Sequence, residues 1–317
     1  YTYASIVGGQ TANTEFELLT GNTLGFLSAG TTAFQLYIHG QMPSLVSNLK
    51  AEGYSGNKAM HPFNPYNYNR PAVYKDFGFT DFIDKFDFPK NVKRVREYIS
   101  DEANVDRIIS EYEKNRKKTD QPFYMYNMTI QNHSPYDKDA ANFKQPIKIE
   151  SSKYDAEANR YLNLIKYSDD SLKQLTGYFE KCKEPTIILF LGDHQPRLTD
   201  EFMNKITNGQ YQTWSSEQMM KRYQVPFVIW ANYDIKEQHI EKTSMNYIQS
   251  ILTKTAGVKM TGYQRFLNES QSGNYINLCS NAKAYGWIQE NIRKKMMGID
   301  LEGVKRNLVD SFAENSE

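Results

Sequence analysis

The residues of this chain best suited to chemistry stand at the ends of apolar or strand-like runs. Asp193 and His194 close the run Thr186-Ile187-Ile188-Leu189-Phe190-Leu191-Gly192. Thr11 follows Gly8-Gly9-Gln10. His61 and Arg70 bracket a loop rich in Pro, Asn and Tyr that also holds Tyr68, and His133 ends the run Asn127-Met128-Thr129-Ile130-Gln131-Asn132. An open α/β sheet keeps its ligands just beyond the carboxyl ends of its strands. Asp and His both bind divalent cations, and a cation beside a hydroxyl lowers the pKa of that hydroxyl. The pattern therefore predicts metal-assisted phosphoryl or sulfuryl transfer through a covalent threonine at Thr11. Arg70 can hold a phosphate with two hydrogen bonds, and His61 and His133 can bond a hydroxyl or phosphate oxygen. Each residue also has an ordinary role to set against this. Thr11 is a natural helix N-cap, Asp193 can cap a loop, either His can satisfy a loop carbonyl, and Arg70 can make a surface ion pair. His39 and His239 have no comparable setting and read as structural.

The elements that must position these residues follow from periodicity and punctuation. Residues 2–7 read as a short strand, and 11–20 as a helix opening at Thr11 with Phe16 and Leu19 on one face. Thr11 would then meet the free N–H groups and positive dipole end that favour an anion. A helix over 41–52 ends at Gly53, a strand runs over 54–60, and a short helix near 70–77 stops at Gly78. Residues 100–118 read as a helix with acids at its start and lysines at its end. A buried strand covers 122–130, a polar surface loop 136–150, and the longest helical pattern 154–181. The segment 185–191 reads as the central strand and 225–230 as another. Helices are expected over 243–256 and 285–297, with a mobile tail from about 305. One α/β/α domain with a helical C-terminal appendage results.

At 317 residues, the chain can bury a full core. Lys plus Arg number 38 against 37 for Asp plus Glu, so the chain as a whole has no bias towards nucleic acid or another polyanion. The 23 Tyr and 17 Phe argue against disorder. Cys182 and Cys279 cannot build a disulfide framework, and no C-x-x-C pair suggests a thiolate zinc site. No apolar run is long enough to span a membrane, and the first residues lack a basic-then-apolar signal pattern. The chain opens inside a strand-like segment, as expected of a fragment or trimmed form.

Several motifs occur in one order with compatible gaps. They are Gly9-Gln10-Thr11-Ala12-Asn13-Thr14-Glu15-Phe16, then His61 followed by Tyr68-Asn69-Arg70 and Tyr74-Lys75-Asp76-Phe77-Gly78, then Asn132-His133-Ser134-Pro135-Tyr136, then Gly192-Asp193-His194. Together they resemble the extracellular catalytic domain of lipoteichoic acid synthases, a sulfatase-like branch of the alkaline phosphatase superfamily. The resemblance covers residue 1 to about residue 270. It implies an α/β fold with a mainly parallel central sheet and helices on both faces. It implies a domain over 1–272 and an appendage over 273–317.

The same resemblance implies roles. Thr11 falls at the nucleophile and, with Asp193 and His194, at the metal ligands. His61, Arg70, His133 and Tyr68 fall in the glycerol-phosphate pocket, with Tyr68 where the family has Trp. The implied cofactor is a divalent metal, Mn2+ or Mg2+. The implied donor is a phosphatidylglycerol-like lipid, and the acceptor a hydroxyl of a glycolipid, polymer or glycan. Membrane attachment through upstream helices and a catalytic domain outside a bacterial cell are expected. So are a first strand and a metal-ligating Glu some tens of residues before the nucleophile, which this sequence does not include; Glu15 and Glu17 do not match it. The alternatives are phosphoethanolamine transfer, hydrolysis of a phosphodiester or sulfate ester, and a non-catalytic domain that binds glycerol phosphate. Threonine at the nucleophile position speaks against a sulfatase, which generally needs a Cys or Ser converted to formylglycine.

Overall fold

The computed structural model describes residues 1–272 apart from Ala29 and Asn208. The helix expected over 285–297, the tail from 305 and the appendage over 273–317 lie outside the described residues.

The chain starts with β1 (Thr2–Tyr3), shorter than the strand expected over 2–7. Pairing stops there because the backbone turns towards Gly8, Gly9 and Gln10, whose φ angles of 73°, 156° and 64° are incompatible with a strand. Helix α1 (Thr11–Thr20) follows and ends at Gly21, φ 73°. It is not amphipathic, as expected from Phe16 and Leu19, but buried on every side from Ala12 to Thr20. Its polar side chains are therefore all committed to hydrogen bonds, as burial demands. Asn13, for example, binds the Thr31 carbonyl and the Ala33 amide. Helices α2 (Ala33–Leu36) and α3 (Leu45–Ala51) come next. The latter starts later than expected because Ser44 and Ser47 form a reciprocal cap.

Strand β2 (Ser55–Met60) leads into the loop of His61 and then α4 (Arg70–Phe77), with Pro71 in its first turn and Gly78 at φ 101° beyond its end. Then come β3 (Asp81–Ile83), a small hairpin of β4 (Arg94–Val95) and β5 (Tyr98–Ile99), and α5 (Asp101–Arg116), capped by the Ser100 hydroxyl. Strand β6 (Phe123–Asn127) precedes α6 (Ala156–Phe179), which Asp155 caps. The rest comprises β7 (Ile187–Leu191), α7 (Asp200–Thr207), α8 (Ser216–Met220), β8 (Gln224–Val225), β9 (Phe227–Ala231), β10 (Thr243–Ser244), α9 (Ile248–Thr255) and α10 (Gly262–Ser272). The helix expected over 243–256 begins only at Ile248, because Thr243 and Ser244 pair with β1.

The sheet is parallel where it carries the site: β3, β2 and β6 lie in that order, all parallel. Alternation along the strands puts Ala59, Phe82 and Tyr126 on one face and Met60, Ile83 and Met125 on the other. The first face packs on the main core, with Phe34, Tyr74, Phe77 and Phe79; the second packs on Phe88, Ile99 and Ile108 of the other layer. The fold is thus α/β, with helices against a parallel sheet. One expectation fails in detail. Strand β7 is not central: among the described residues it pairs antiparallel with β9 alone, and it is half-buried along its length. A five-residue apolar run looks the same in either setting, so sequence periodicity could not tell them apart.

Candidate active site

Thr11 is the first residue of α1, and Gln10, in the left-handed conformation, occupies the capping position without a side-chain cap bond. The Thr11 hydroxyl is therefore not spent on capping. It donates to Asp193 Oδ2 at 2.9 Å and lies 3.4 Å from His194 Nε2. Asp193 Oδ2 and His194 Nε2 are 3.2 Å apart. The strand-to-helix loop and the Gly-Asp-His turn are fastened together by short links. Gly8 N–H donates to the Gln195 carbonyl at 2.8 Å, and Thr14 donates to the Asp193 carbonyl at 2.9 Å. A Cβ on Gly8 would stand 3.1 Å from Arg197 Cβ at φ 73°, so only glycine fits this approach comfortably. The Gln195 carbonyl also accepts from His194 Nδ1 at 3.0 Å. A carbonyl can only accept, so Nδ1 donates, and Nε2 is the nitrogen that faces Thr11 and Asp193.

This donor set suits a divalent cation. A hydroxyl oxygen, a carboxylate oxygen and an imidazole nitrogen stand 2.9 to 3.4 Å from one another. Thr11, Asp193 and His194 would be the residues to hold such an ion, which would supply positive charge beside the hydroxyl. Among the described residues, no cluster of three or more His, Cys, Asp or Glu side chains could hold an ion.

A second group surrounds His61. Its ring is buried, and Nδ1 donates to the Met128 carbonyl at 2.9 Å, which leaves Nε2 as an acceptor. Burial and then the nearby Arg70 charge lower its pKa to about 4, with Glu15 and His133 also within electrostatic reach. The Phe63 ring joins His61 to His133, at 6.0 Å from the first and stacked at 6.2 Å on the second. His133 is exposed, and its Nδ1 donates to the Ser134 carbonyl at 2.7 Å. Arg70 lies with its guanidinium carbon 5.1 Å from the centre of the Tyr68 ring. Tyr68 itself has φ 59° and Asn69 φ 56°, two successive left-handed residues ahead of α4. For a bulky side chain such as Tyr68 this costs on the order of 1 kcal/mol, and it turns the ring onto Arg70.

Arg70 does not make the surface ion pair that was its ordinary alternative. It is 2% exposed and bound to Glu15, which is fully buried. Nε and Nη2 both donate to Glu15 Oε1, at 3.2 and 2.6 Å. Tyr74 donates to the other Glu15 oxygen. Burial opposes the charge on Arg70, but the Glu15 carboxylate outweighs it and raises the Arg70 pKa. Glu15 is the residue that links the two groups, because it lies one helical turn after Thr11 on the same face of α1.

These features have known counterparts. The sulfatase family model matches residues 1–258. The chain belongs to the sulfatase family. Among relatives of this sulfatase chain is the putative cyclic beta-1,2-glucan modification protein of Rhizobium meliloti, 33% identical over 270 residues, which cover 83% of this chain and 41% of that protein. The lipoteichoic acid synthase of Staphylococcus aureus is 28% identical over 196 residues, 59% of this chain and 28% of that one. Among solved structures, the Streptococcus pyogenes phosphoglycerol transferase GacH, in complex with sn-glycerol-1-phosphate, superposes with a TM-score of 0.70 at 19% identity, covering 93% of this chain and 75% of that one. The lipoteichoic acid synthase LtaP of Listeria monocytogenes gives a TM-score of 0.63 at 22% identity, covering 82% and 63%. At these identities the structures establish the fold alone. This chain spans less than half the length of the curated relatives it matches. Among its described residues, no helix is long and apolar enough to cross a membrane.

Two further residues of this sulfatase domain were not singled out from sequence. Glu15 is one. The other is Arg96, whose guanidinium donates to the carbonyls of Gln131, His133 and Pro135 at 2.8, 2.7 and 2.5 Å. It also lies 5.2 and 5.7 Å from the ring centres of Tyr98 and Tyr136. Its φ of 54° is unusual for a non-glycine residue and could only be seen in the folded chain.

Proposed function

We propose that residues 1–272 form the catalytic domain of a phosphoglycerol transferase of the lipoteichoic acid synthase kind, acting outside a bacterial membrane. The observation that carries the reading is the hydroxyl of Thr11, uncommitted to capping, placed at a helix N-terminus against Asp193 Oδ2 and His194 Nε2. Thr11, Asp193 and His194 would hold a divalent ion, Mn2+ or Mg2+. When bound, such an ion supplies positive charge that acidifies the hydroxyl and balances the phosphate.

The chain's own residues account for the rest. Thr11 Oγ1 attacks the phosphorus of a phosphatidylglycerol-like lipid. An Oγ1–P bond forms, the bond from phosphorus to the diacylglycerol oxygen breaks, and the threonine proton ends on the released diacylglycerol. An acceptor hydroxyl then takes the group, and its proton returns to Thr11. The first N–H groups of α1 face the anion. His61 Nε2 accepts from a glycerol hydroxyl, and Arg70, held by Glu15 and by the Asn67 carbonyl, sets its positive charge behind the head group. His133 and Tyr68 wall the head group. The similarity to a glucan-modifying protein favours a glycan hydroxyl as acceptor.

The test is incubation of the protein, with manganese, with fluorescent phosphatidylglycerol and a glucan acceptor, resolving the lipid products by chromatography. Released fluorescent diacylglycerol with glycerol phosphate on the glucan is expected. Release of diacylglycerol with free glycerol phosphate would point to hydrolysis. No release from phosphatidylglycerol, with turnover of phosphatidylethanolamine, would overturn the head-group assignment.

A further inference from the structure

The turn that carries Asp193 and His194 hangs from a single segment, residues 221–226. Before the turn, the Gly192 amide donates to the Pro226 carbonyl at 3.0 Å. After it, the Arg222 guanidinium donates to the Pro196 carbonyl at 3.2 Å. Between these two links stands Gln195, whose side-chain Nε2 donates to the carbonyls of Lys221 and Gln224 at 2.7 and 2.8 Å. Both partners can only accept, so the nitrogen of the amide must face them. The same segment holds the strand that leads to Thr11. Val225 and Gln224 pair with Thr2 and Tyr3 of β1, and the Gln224 side chain donates to the Tyr3 hydroxyl at 2.8 Å. The Ala4 amide donates to the Tyr223 carbonyl at 2.9 Å.

Gln195 is therefore bound in two directions. Its side chain holds the outer segment, and its own carbonyl faces inward. That carbonyl accepts from His194 Nδ1 at 3.0 Å and from the Gly8 amide at 2.8 Å. Pro196 restricts the peptide further, because a residue before proline is confined to extended conformations. The carbonyl cannot swing freely, and it turns the imidazole so that Nε2 lies 3.4 Å from the Thr11 hydroxyl and 3.2 Å from Asp193 Oδ2. An acceptor fixed against one ring nitrogen sets both the ring plane and the nitrogen that carries a proton. Without a fixed acceptor the ring can turn, and Nε2 no longer has a set direction.

We propose that Gln195 is a positioning residue: its side chain holds the peptide that points His194 Nε2 at Thr11 and Asp193. The placement of the ring stands on these hydrogen bonds alone, and its consequence for a divalent ion rests on the phosphoglycerol transferase reading. A ring aimed in advance loses little rotational freedom on meeting an ion. Cutting the two side-chain bonds should therefore weaken ion binding more than it weakens the fold.

The experiment compares wild type with Gln195→Met, Gln195→Glu and Gln195→Lys. The first keeps the length and removes both donors. The second keeps the shape and sets a carboxylate against two carbonyls. The third returns donors on a longer side chain. Nuclear magnetic resonance at about pH 8, with nitrogen-labelled histidine, reads which ring nitrogen is protonated. The chain has five His, and the signals of His194 are those missing from His194→Gln. Wild type should show a proton held on Nδ1, Gln195→Met and Gln195→Glu a mixture of ring states, and Gln195→Lys a partial return. Manganese binding, followed by the paramagnetic resonance of the free ion, should be about tenfold weaker in Gln195→Met and Gln195→Glu and less affected in Gln195→Lys. Both readouts are taken where urea unfolding shows each protein fully folded. A wild-type ring with its proton on Nε2 alone overturns the inference. So do spectra of Gln195→Met and Gln195→Glu identical to wild type, or manganese affinities equal to a measurable wild-type value. Wild type that binds no manganese, with the Nδ1 proton lost in the two variants, leaves the inference standing and removes the metal reading alone.

Discussion

The carboxylate of Glu15, fully buried, accepts two hydrogen bonds from the guanidinium of Arg70, at 3.2 and 2.6 Å. A buried pair of this kind contributes little net stability against an apolar pair of the same shape, because both charges were taken out of water. Removing one member is another matter, since it strands the other charge. Arg70→Met should therefore destabilise the fold by about 3–5 kcal/mol. Glu15→Leu/Arg70→Met should lose less than Arg70→Met alone. Urea unfolding of the single and double variants checks this. A double variant no more stable than Arg70→Met would show that the pair is not what holds α1 to α4.

Thr11→Ala should leave the fold nearly unchanged and remove turnover. The hydroxyl makes one hydrogen bond to Asp193, worth about 1–2 kcal/mol, and caps nothing. As the attacking group, its loss should lower the rate by about 10⁴-fold or more. Mass spectrometry of wild type mixed with the lipid donor alone should find glycerol phosphate on the peptide containing Thr11, and find none in Thr11→Ala. Near-normal turnover by Thr11→Ala would end the covalent mechanism.

Much of this was legible before folding because local chemistry decided it. Pro71 and Gly78 bound α4, Ser100 starts α5, and Gly-Asp-His after an apolar strand places Asp193 and His194 at a strand end, where they meet Thr11. What escaped is long-range. Nothing local to Glu15 says that Arg70, 55 residues on, will close over it. Arg70 for the same reason reads as a phosphate ligand or as one half of a surface ion pair. Whether β7 lies at the centre of a sheet or in a two-stranded pair depends on its neighbours, not on Ile187–Leu191 themselves. Arg96 earns its place by reaching carbonyls 35 to 39 residues away, which no periodicity encodes.

Arg96 ties down the loop that carries His133. Its three carbonyl bonds and two aromatic contacts hold residues 131–135 in one geometry. Arg96→Ala should cost about 2–3 kcal/mol, since buried carbonyls lose a charged donor. It should also weaken glycerol phosphate binding several-fold, because His133 loses its fixed position. Arg96→Lys should recover part of the stability and less of the affinity, as an ammonium cannot serve three carbonyls at this spacing. Calorimetric titration alongside urea unfolding separates the two effects; unchanged affinity in Arg96→Ala would leave Arg96 a structural residue only.

Two buried groups give the stability of the fold opposite pH slopes. His61 falls from its ordinary 6.5 to about 4, chiefly through burial and then the Arg70 charge. Between pH 6.5 and 4 the unfolded chain binds the proton and the fold does not, so stability drops as pH falls through that window. Glu17 rises from 4.5 to about 7 through burial, although Leu24 N–H and the hydroxyls of Ser5 and Thr23 favour its charged form. Between pH 4.5 and 7 the fold holds a proton that the unfolded chain has lost, so stability drops as pH rises. Each shift corresponds to on the order of 3 kcal/mol, and the two slopes oppose each other between about pH 4.5 and 6.5. Glu17→Gln keeps the shape and the hydrogen-bonding positions of the neutral acid but cannot ionise. It should match wild type at pH 4.5 and exceed it by about 2–3 kcal/mol at pH 8, where wild type must bury a charge. With Glu17 silent, the variant should lose stability through His61 as pH falls from 6.5 to about 6, below which Asp101, whose pKa burial raises from 3.8 to about 6, opposes the His61 slope. Urea midpoints at half-unit steps from pH 4 to 8 test both statements, and a Glu17→Gln curve parallel to wild type would mean that Glu17 stays ionised in the fold.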